Sequence, residues 1–431
     1  MSQLIDLDQR YVWHPFTQAK TAGLPIPIVS AEGALLQAED GKTYIDANSS
    51  WWVNTHGHGE EHISQAIKDQ LDQLGHVIFA GVTHPKAVEL ASRISALLPG
   101  TLNRSFFSDD GSTAVEVALK MSLQYWFNQD QKKHRILAMD GAYHGDTFGA
   151  MSVGQRSYFN KPFEHLFFQV DYMGFPSKEN EAPCLTEAEA YFKSGEFAAL
   201  IVEPIVQGSA GMRMYRPQFL DQLMILARKY DVLIIFDEIM TGWGRTGRLF
   251  AMNYLQDHPD IVCLSKGLTG GVLPLGLTVA SDFIYDAFWS DEKEKALLHG
   301  HSFTGNALAC AAACANLDLI EDPAFFEEIE RIATAHYAFV QHLKEHEAIA
   351  HIRQTGTILA IEVRQQEESS YFSGIRDVIY EHFLNDGILL RPLGNVLFVN
   401  PPYCIKDEEL AQIYASTKRL LDRLLTDDRL Q

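Results

Sequence analysis

Four short runs, RILAMD, AALIVEP, VLIIFDE and DIVCLSK, recur between residues 135 and 266, separated by turn residues and helix-length segments. Each is apolar at consecutive positions, a pattern that suits a strand with both faces covered. A mostly parallel sheet wrapped by helices gives that cover, and such sheets place ligands beyond the carboxyl ends of their strands. The pattern starts earlier still: Ser105 to Ser108 reads as a short strand, and DDGSTAVEVALKMSLQYW as the helix that follows it.

The flanks differ. Ile26 to Asp46 is predicted to form strands joined by a turn at Glu39, Asp40 and Gly41, since alternation around an acid-glycine turn is a hairpin signal. Helical spacing places Ile63, Ile67, Leu71 and Leu74 on one face of a helix from about Glu60, and Ala87, Leu90, Ile94 and Leu97 on one face of a helix from Pro85. The charged SKENEAPCLTEAEAY reads as a solvated loop entering a helix. After Ile320 a helical run from Phe325 to His346 leads into GTILAIEVR, a helix near 374 to 385, the segment GILLRPLGNVLFVNPPY and a last amphipathic helix from Lys406. We therefore expect a smaller α+β domain from both chain ends, residues 1–58 and 321–431, around a large domain of residues 59–320.

At 431 residues, 46% hydrophobic, the chain can bury a sizeable core. A formal net charge of -21 repels phosphate backbones and argues against nucleic acid or an anionic bilayer as partner. The opening MSQLIDLDQRYVWHPF lacks a basic segment followed by an apolar one, and no stretch reaches the roughly 18 apolar residues of a membrane span; the expectation is a cytoplasmic protein. The five cysteines have no metal-ligand spacing, and Cys310 and Cys314, among alanines, are expected to be small core residues. No metal site is expected.

The chemistry-bearing residues sit at strand ends. Asp237 ends LIIFD, where an acid could be a metal ligand, a ribose-binding group, a helix cap or the partner of a pyridinium nitrogen. Lys266, in LSKGLTGG, could form a Schiff base with an aldehyde cofactor. DGST, Asp110 to Thr113, offers glycine, hydroxyls and main-chain N–H groups at a helix start, either a phosphate cradle or a plain N-cap. Tyr143 and His144, in GAYHGD, could face a flat ring or close the top of the core. No GxxxxGK[ST] is present and no GxGxxG follows a strand, which removes the usual nucleotide sites.

These stretches, with YVWHPF, SSWWVNTHGHG, GAYHGDTFGAMSVG, IVEPIVQGSAGMRMY, IIFDEIMTGWGRTGRLFA, HGHSFTGNALACAAA and RPLGNVLFVNPPY, resemble the class III aminotransferases of fold type I, which use pyridoxal 5'-phosphate. Within that family they are similar to the branch that aminates 8-amino-7-oxononanoate in biotin synthesis. The resemblance implies Lys266 as the Schiff-base lysine and proton carrier, and Asp237 as the acid at the pyridine nitrogen. It implies Gly111 and Ser112 as the phosphate cup, completed by Ser302 of a second subunit and hence a homodimer; Tyr143 stacked on the ring, which makes it a third catalytic residue; Ile239 beneath the ring; and His144, Glu203 and Gln207 nearby. For substrate it implies Trp51 and Trp52 along an aliphatic chain, Arg391 on the distal carboxylate, Asp146 and Arg245 at the mouth and substrate amine, and Gly300, Phe16 and Phe398 as further contacts.

The amino donor that the resemblance implies is S-adenosylmethionine, from SSWW and VQGSAGMRMY. Phe16 and Phe398 replace tyrosines common in that form, and HPFTQ, HGHSFTGN and RPLGNV are also similar to a form that uses lysine. Other ω-aminotransferases, acting on putrescine or 4-aminobutyrate, would share Lys266 and Asp237.

Overall fold

The computed structural model describes residues 3–365 and 374–426. Its centre is a seven-stranded sheet in the order Leu102–Ser108, Gly276–Ser281, Ile261–Leu264, Leu233–Asp237, Phe197–Val202, Arg135–Met139 and Val170–Met173. The four apolar runs are its inner parallel strands, and Leu233–Asp237 pairs in parallel with a neighbour on each side. Every residue of Phe197–Val202 and Leu233–Asp237 is buried, as strands covered on both faces require.

One strand was not anticipated. Gly276–Ser281 runs antiparallel between Leu102–Ser108 and Ile261–Leu264, so the sheet is mixed at that edge. GLTVAS is short and follows the glycine-rich GLTGGVLPL, and nothing in its composition gives its direction. The helix Gly111–Asn128 packs against this sheet, and alanine-rich Ala307–Ile320 packs against the helices Glu61–Gln73 and Pro85–Leu97. Cys310 and Cys314 are buried free thiols in that alanine-rich helix, where small side chains allow close approach. Leu71 departs from its expected place: it is exposed, while Ile63 on the same helix is fully buried with Ala312 and Ala315.

A four-stranded sheet joins the two ends of the chain. Ile28–Glu32, Leu35–Ala38 and Thr43–Asp46 form an antiparallel meander, and Ile388–Leu389 adds to Thr43–Asp46 in parallel. Ile349–Thr355, Ile358–Val363 and Val396–Val399 make a further antiparallel sheet. Residues 388–399 thus carry one edge of each sheet, which brings Arg391 and Phe398 beside the segment after Asp46.

Candidate active site

Asp237 is the last residue of its strand, and only 5% of it is exposed. Its Oδ1 accepts the Ile239 N–H at 3.1 Å, and its Oδ2 lies 2.7 Å from His144 Nδ1. His144 is also buried, and its Nε2 has no partner among the described residues. The next acid plays a different part: the Glu238 carboxylate accepts Thr241 Oγ1 at 2.5 Å, Ala251 N at 3.0 Å and Met252 N at 2.7 Å, pinning the loop beyond the strand.

Lys266 follows the strand Ile261–Leu264 and adopts φ +47°, an uncommon conformation for a residue with a side chain. Ser265 is fixed on two sides, its Oγ donating to Leu275 O at 2.7 Å and its carbonyl accepting Trp243 Nε1 at 3.1 Å. Lys266 Nζ lies 4.9 Å from the centre of the Trp52 ring. Burial lowers its proton affinity, opposed by the carboxylates of Asp237 and Glu203 and reinforced by the positive charge of Arg245.

Glu203, at the end of another parallel strand, accepts Tyr143 N at 3.1 Å and Gly208 N at 2.9 Å. Burial pushes its carboxyl up to about 7, with His144 pulling the other way. Tyr143 donates its hydroxyl to Asp146 Oδ2 at 3.0 Å, and Asp146 N donates to Ser112 Oγ at 3.2 Å, so the GAYHGD turn is tied to the start of helix Gly111–Asn128. Burial raises the Asp146 carboxyl, with the Tyr143 hydroxyl bond opposing it. Gln207 donates to Asp140 O at 3.1 Å and accepts from Arg213 at 2.7 Å, bracing the loop from behind.

Asp110 caps that helix by accepting Thr113 N at 2.8 Å, and Asp110 N donates in return to Thr113 Oγ1 at 3.0 Å. The N-cap reading of DGST is the one the geometry shows: the cap occupies the third N–H of the first turn, and those of Gly111 and Ser112 precede any helical acceptor. A Cβ at Gly111 would lie 2.9 Å from Ile239 Cδ1 and Cγ2, so any larger residue there would displace the Ile239 side chain. Pyridoxal phosphate fits these residues. The helix start would hold its phosphate, Asp237 its ring nitrogen and Lys266 its aldehyde, and His144 Nε2 is a buried polar atom without a partner among the described residues.

The aromatic wall is built from strained backbone. Ser49, Ser50 and Trp52 all have positive φ, at 49°, 59° and 64°. Trp52 is buried and meets Phe398 edge-on at 5.8 Å, while Trp51 is exposed, 5.5 Å from Phe16. The Arg391 guanidinium lies 5.5 Å from the centre of the Trp51 ring. Two residues that sequence reasoning missed hold this wall. Asp46 is wholly buried and accepts Ser50 N at 2.8 Å, Ser50 Oγ at 2.9 Å and His58 Nε2 at 3.0 Å. Asn48 bonds to the main chains of both Arg391 and Phe398. The available signal was an acid at a strand end before Asn-Ser-Ser, residues that favour local side-chain bonds to the backbone.

One expected residue stands elsewhere. Arg245 was placed at the mouth, yet it is 1% exposed, and its guanidinium donates to Asn400 Oδ1 at 3.2 Å, Pro401 O at 2.8 Å and Asn54 O at 2.9 Å. It stitches the loop after the tryptophans to the segment following the Val396–Val399 strand, and its positive charge acts on Lys266. Gly300 and Ser302 are exposed, and Ser302 O accepts His76 Nε2 at 2.7 Å. Among the described residues, neither makes a polar contact with Lys266, Asp237 or Glu203.

Comparison with known proteins gives a family. Residues 17–421 match the model of the class III aminotransferases. The chain is 48% identical over 422 residues to the adenosylmethionine-8-amino-7-oxononanoate aminotransferase of Synechococcus elongatus, covering 96% of this chain and 99% of that protein. It superposes with a TM-score of 0.91 and 35% identity on the crystal structure of the enzyme of the same name from Methanocaldococcus jannaschii, covering 96% of this chain and 98% of that one. An (S)-enantioselective ω-transaminase from Thermomicrobium roseum shares the fold with a TM-score of 0.90 at 28% identity, covering 98% of each chain. A family match across nearly the whole length, on a fold shared from end to end, leaves one assignment: this chain belongs to the class III aminotransferases and works with pyridoxal 5'-phosphate.

Proposed function

We propose that this enzyme moves an amino group from S-adenosylmethionine to 8-amino-7-oxononanoate, forming 7,8-diaminononanoate for biotin synthesis. The observation that carries the reading is a line of contacts from the reactive lysine to a cation: Lys266 Nζ near Trp52, Trp52 against Phe398, and Arg391 over the adjacent Trp51. An aliphatic acid with a reacting ketone suits that line, apolar along its chain and paired with guanidinium at its end. Full-length likeness to proteins named for this reaction supports it. Phe16 and Phe398, which offer no hydroxyl to a polar donor, favour a second reading in which lysine supplies the amino group.

When bound, the cofactor supplies an aldehyde for amines and a ring that accepts an electron pair. The protein does the rest. Gly111 and Ser112 would hold the phosphate at the helix start, and Asp237 the ring nitrogen. His144 keeps Asp237 oriented through the 2.7 Å contact. Lys266, its proton affinity lowered by burial, takes a proton from the substrate carbon and returns it, one group serving as base and acid. Trp51, Trp52 and Phe398 exclude water, and Arg391 fixes the far carboxylate.

A second copy completes the site in this reading. Ser302 is exposed, as are Leu298 and Phe303 near it in the chain, so this segment is open for a partner to meet. The test is to supply 8-amino-7-oxononanoate with each donor and assay 7,8-diaminononanoate. Arg391→Ala is expected to raise KM for the keto acid about 10- to 100-fold, as loss of a charged hydrogen bond would, with cofactor retained. No product with either donor, but turnover with 4-aminobutyrate or putrescine, would place the enzyme among other ω-aminotransferases.

A further inference from the structure

Residues 46–49 are threaded between the two late segments that carry the substrate-side residues. Ala47 N donates to Leu389 O at 3.1 Å on one side, and Asn400 N donates to Ala47 O at 2.9 Å on the other. Ser49 Oγ adds a bond to Asn400 O at 2.8 Å. At the centre is the Asn48 side chain, 4% exposed. Its Oδ1 accepts the Arg391 N–H at 2.6 Å, and its Nδ2 donates to Phe398 O at 2.8 Å. One rigid amide therefore spans the main chains of the residue proposed to hold the carboxylate and of the residue packed on Trp52.

The same amide is fixed to the tryptophans. Asn48 N donates to Asp46 Oδ1 at 3.3 Å, and that carboxylate also holds Ser50, whose φ of 59° directs the chain into Trp51 and Trp52. Trp52 reaches Lys266, and Trp51 reaches Arg391. A shift of Arg391 relative to Trp52 changes the distance from the reacting nitrogen to the cation, so whatever sets that relation sets the length of acid accepted.

We propose that Asn48 is a specificity-determining positioning residue, whose side-chain amide fixes Arg391 and Phe398 relative to the paired tryptophans and so selects the chain length of the carboxylic acid substrate. The inference rests on the reading of Arg391 as the carboxylate partner. Asparagine is suited to the task because it offers an acceptor and a donor on one planar group. Asn48→Ala loses both bonds; Asn48→Asp keeps the acceptor for Arg391 N and loses the donor to Phe398 O.

The experiment compares parent, Asn48→Ala and Asn48→Asp, each loaded with cofactor, for kcat and KM on 8-amino-7-oxononanoate and on analogues one carbon shorter and longer, with cofactor spectra and Tm recorded for each. Since misplacement by about 1 Å can cost about a hundredfold, Asn48→Ala is expected to raise KM about tenfold or more, with kcat within about threefold, unchanged spectra and weakened discrimination among the three lengths. Asn48→Asp is expected to fall between parent and Asn48→Ala. Parental KM and discrimination in both variants would overturn the proposal, as would a fall in kcat that tracks lost cofactor or lowered Tm without a change in discrimination. If the parent itself fails to aminate 8-amino-7-oxononanoate, the proposed function fails, and the role of Asn48 in selecting that acid falls with it.

Discussion

His144 Nδ1 sits 2.7 Å from Asp237 Oδ2, with both side chains buried. A carboxylate that must stay charged opposite a ring nitrogen gains from a donor on its other side. His144→Ala removes that donor and leaves a buried acceptor, a loss of about 1–3 kcal/mol. We expect Tm to fall and kcat to drop about tenfold or more, with the phosphate end of the site intact. Thermal melts and kinetics of the loaded variant check this; parental kcat would detach His144 from the role of Asp237.

Glu203 gives stability a pH dependence. Burial raises its folded carboxyl from the ordinary 4.5 to about 7, so between those values the folded state binds more protons than the unfolded chain. Its contribution to stability is full below about pH 4.5 and is lost as pH rises through about 7. Urea unfolding from pH 5 to 8 is expected to show a shallower decline in Glu203→Gln than in the parent, whatever the absolute stability of the variant. Parallel slopes would contradict the assignment.

Arg245 separates a structural role from a substrate role. Its truncation leaves Pro401 O and Asn54 O without their buried donor, each such loss costing about 1–3 kcal/mol. Arg245→Ala is expected to lower Tm and the denaturation midpoint, with KM for the donor little changed in the folded fraction. A large KM effect at parental Tm would restore the arginine to the substrate amine.

Much of the fold was legible because consecutive apolar residues report a strand covered on both faces, as in LIIFD and AALIV. Asp237 and Lys266 stood out as polar residues at the ends of such strands, while their roles came from the resemblance. What sequence could not convey was pairing across distance. Asn48 and Arg391 are 343 positions apart, and nothing local to either announces the bond. Arg245 was put at the mouth on the resemblance alone, and the sequence gives no sign that its guanidinium is buried against carbonyls from two remote segments. The direction of Gly276–Ser281 depends on its neighbours in the sheet, and the exposure of Leu71 on what its helix faces.

In the proposed function Lys266 passes an amino group through one site from donor to 8-amino-7-oxononanoate. The most direct measurement follows the visible absorbance of the cofactor-loaded enzyme through separate half-reactions. S-adenosylmethionine, or lysine under the second reading, is expected to abolish the band of the lysine-bound cofactor, and 8-amino-7-oxononanoate to restore it, while Lys266→Ala lacks that band and does neither. A band untouched by both donors but bleached by 4-aminobutyrate or putrescine, or a Lys266→Ala variant turning over near the parental rate, would contradict the account.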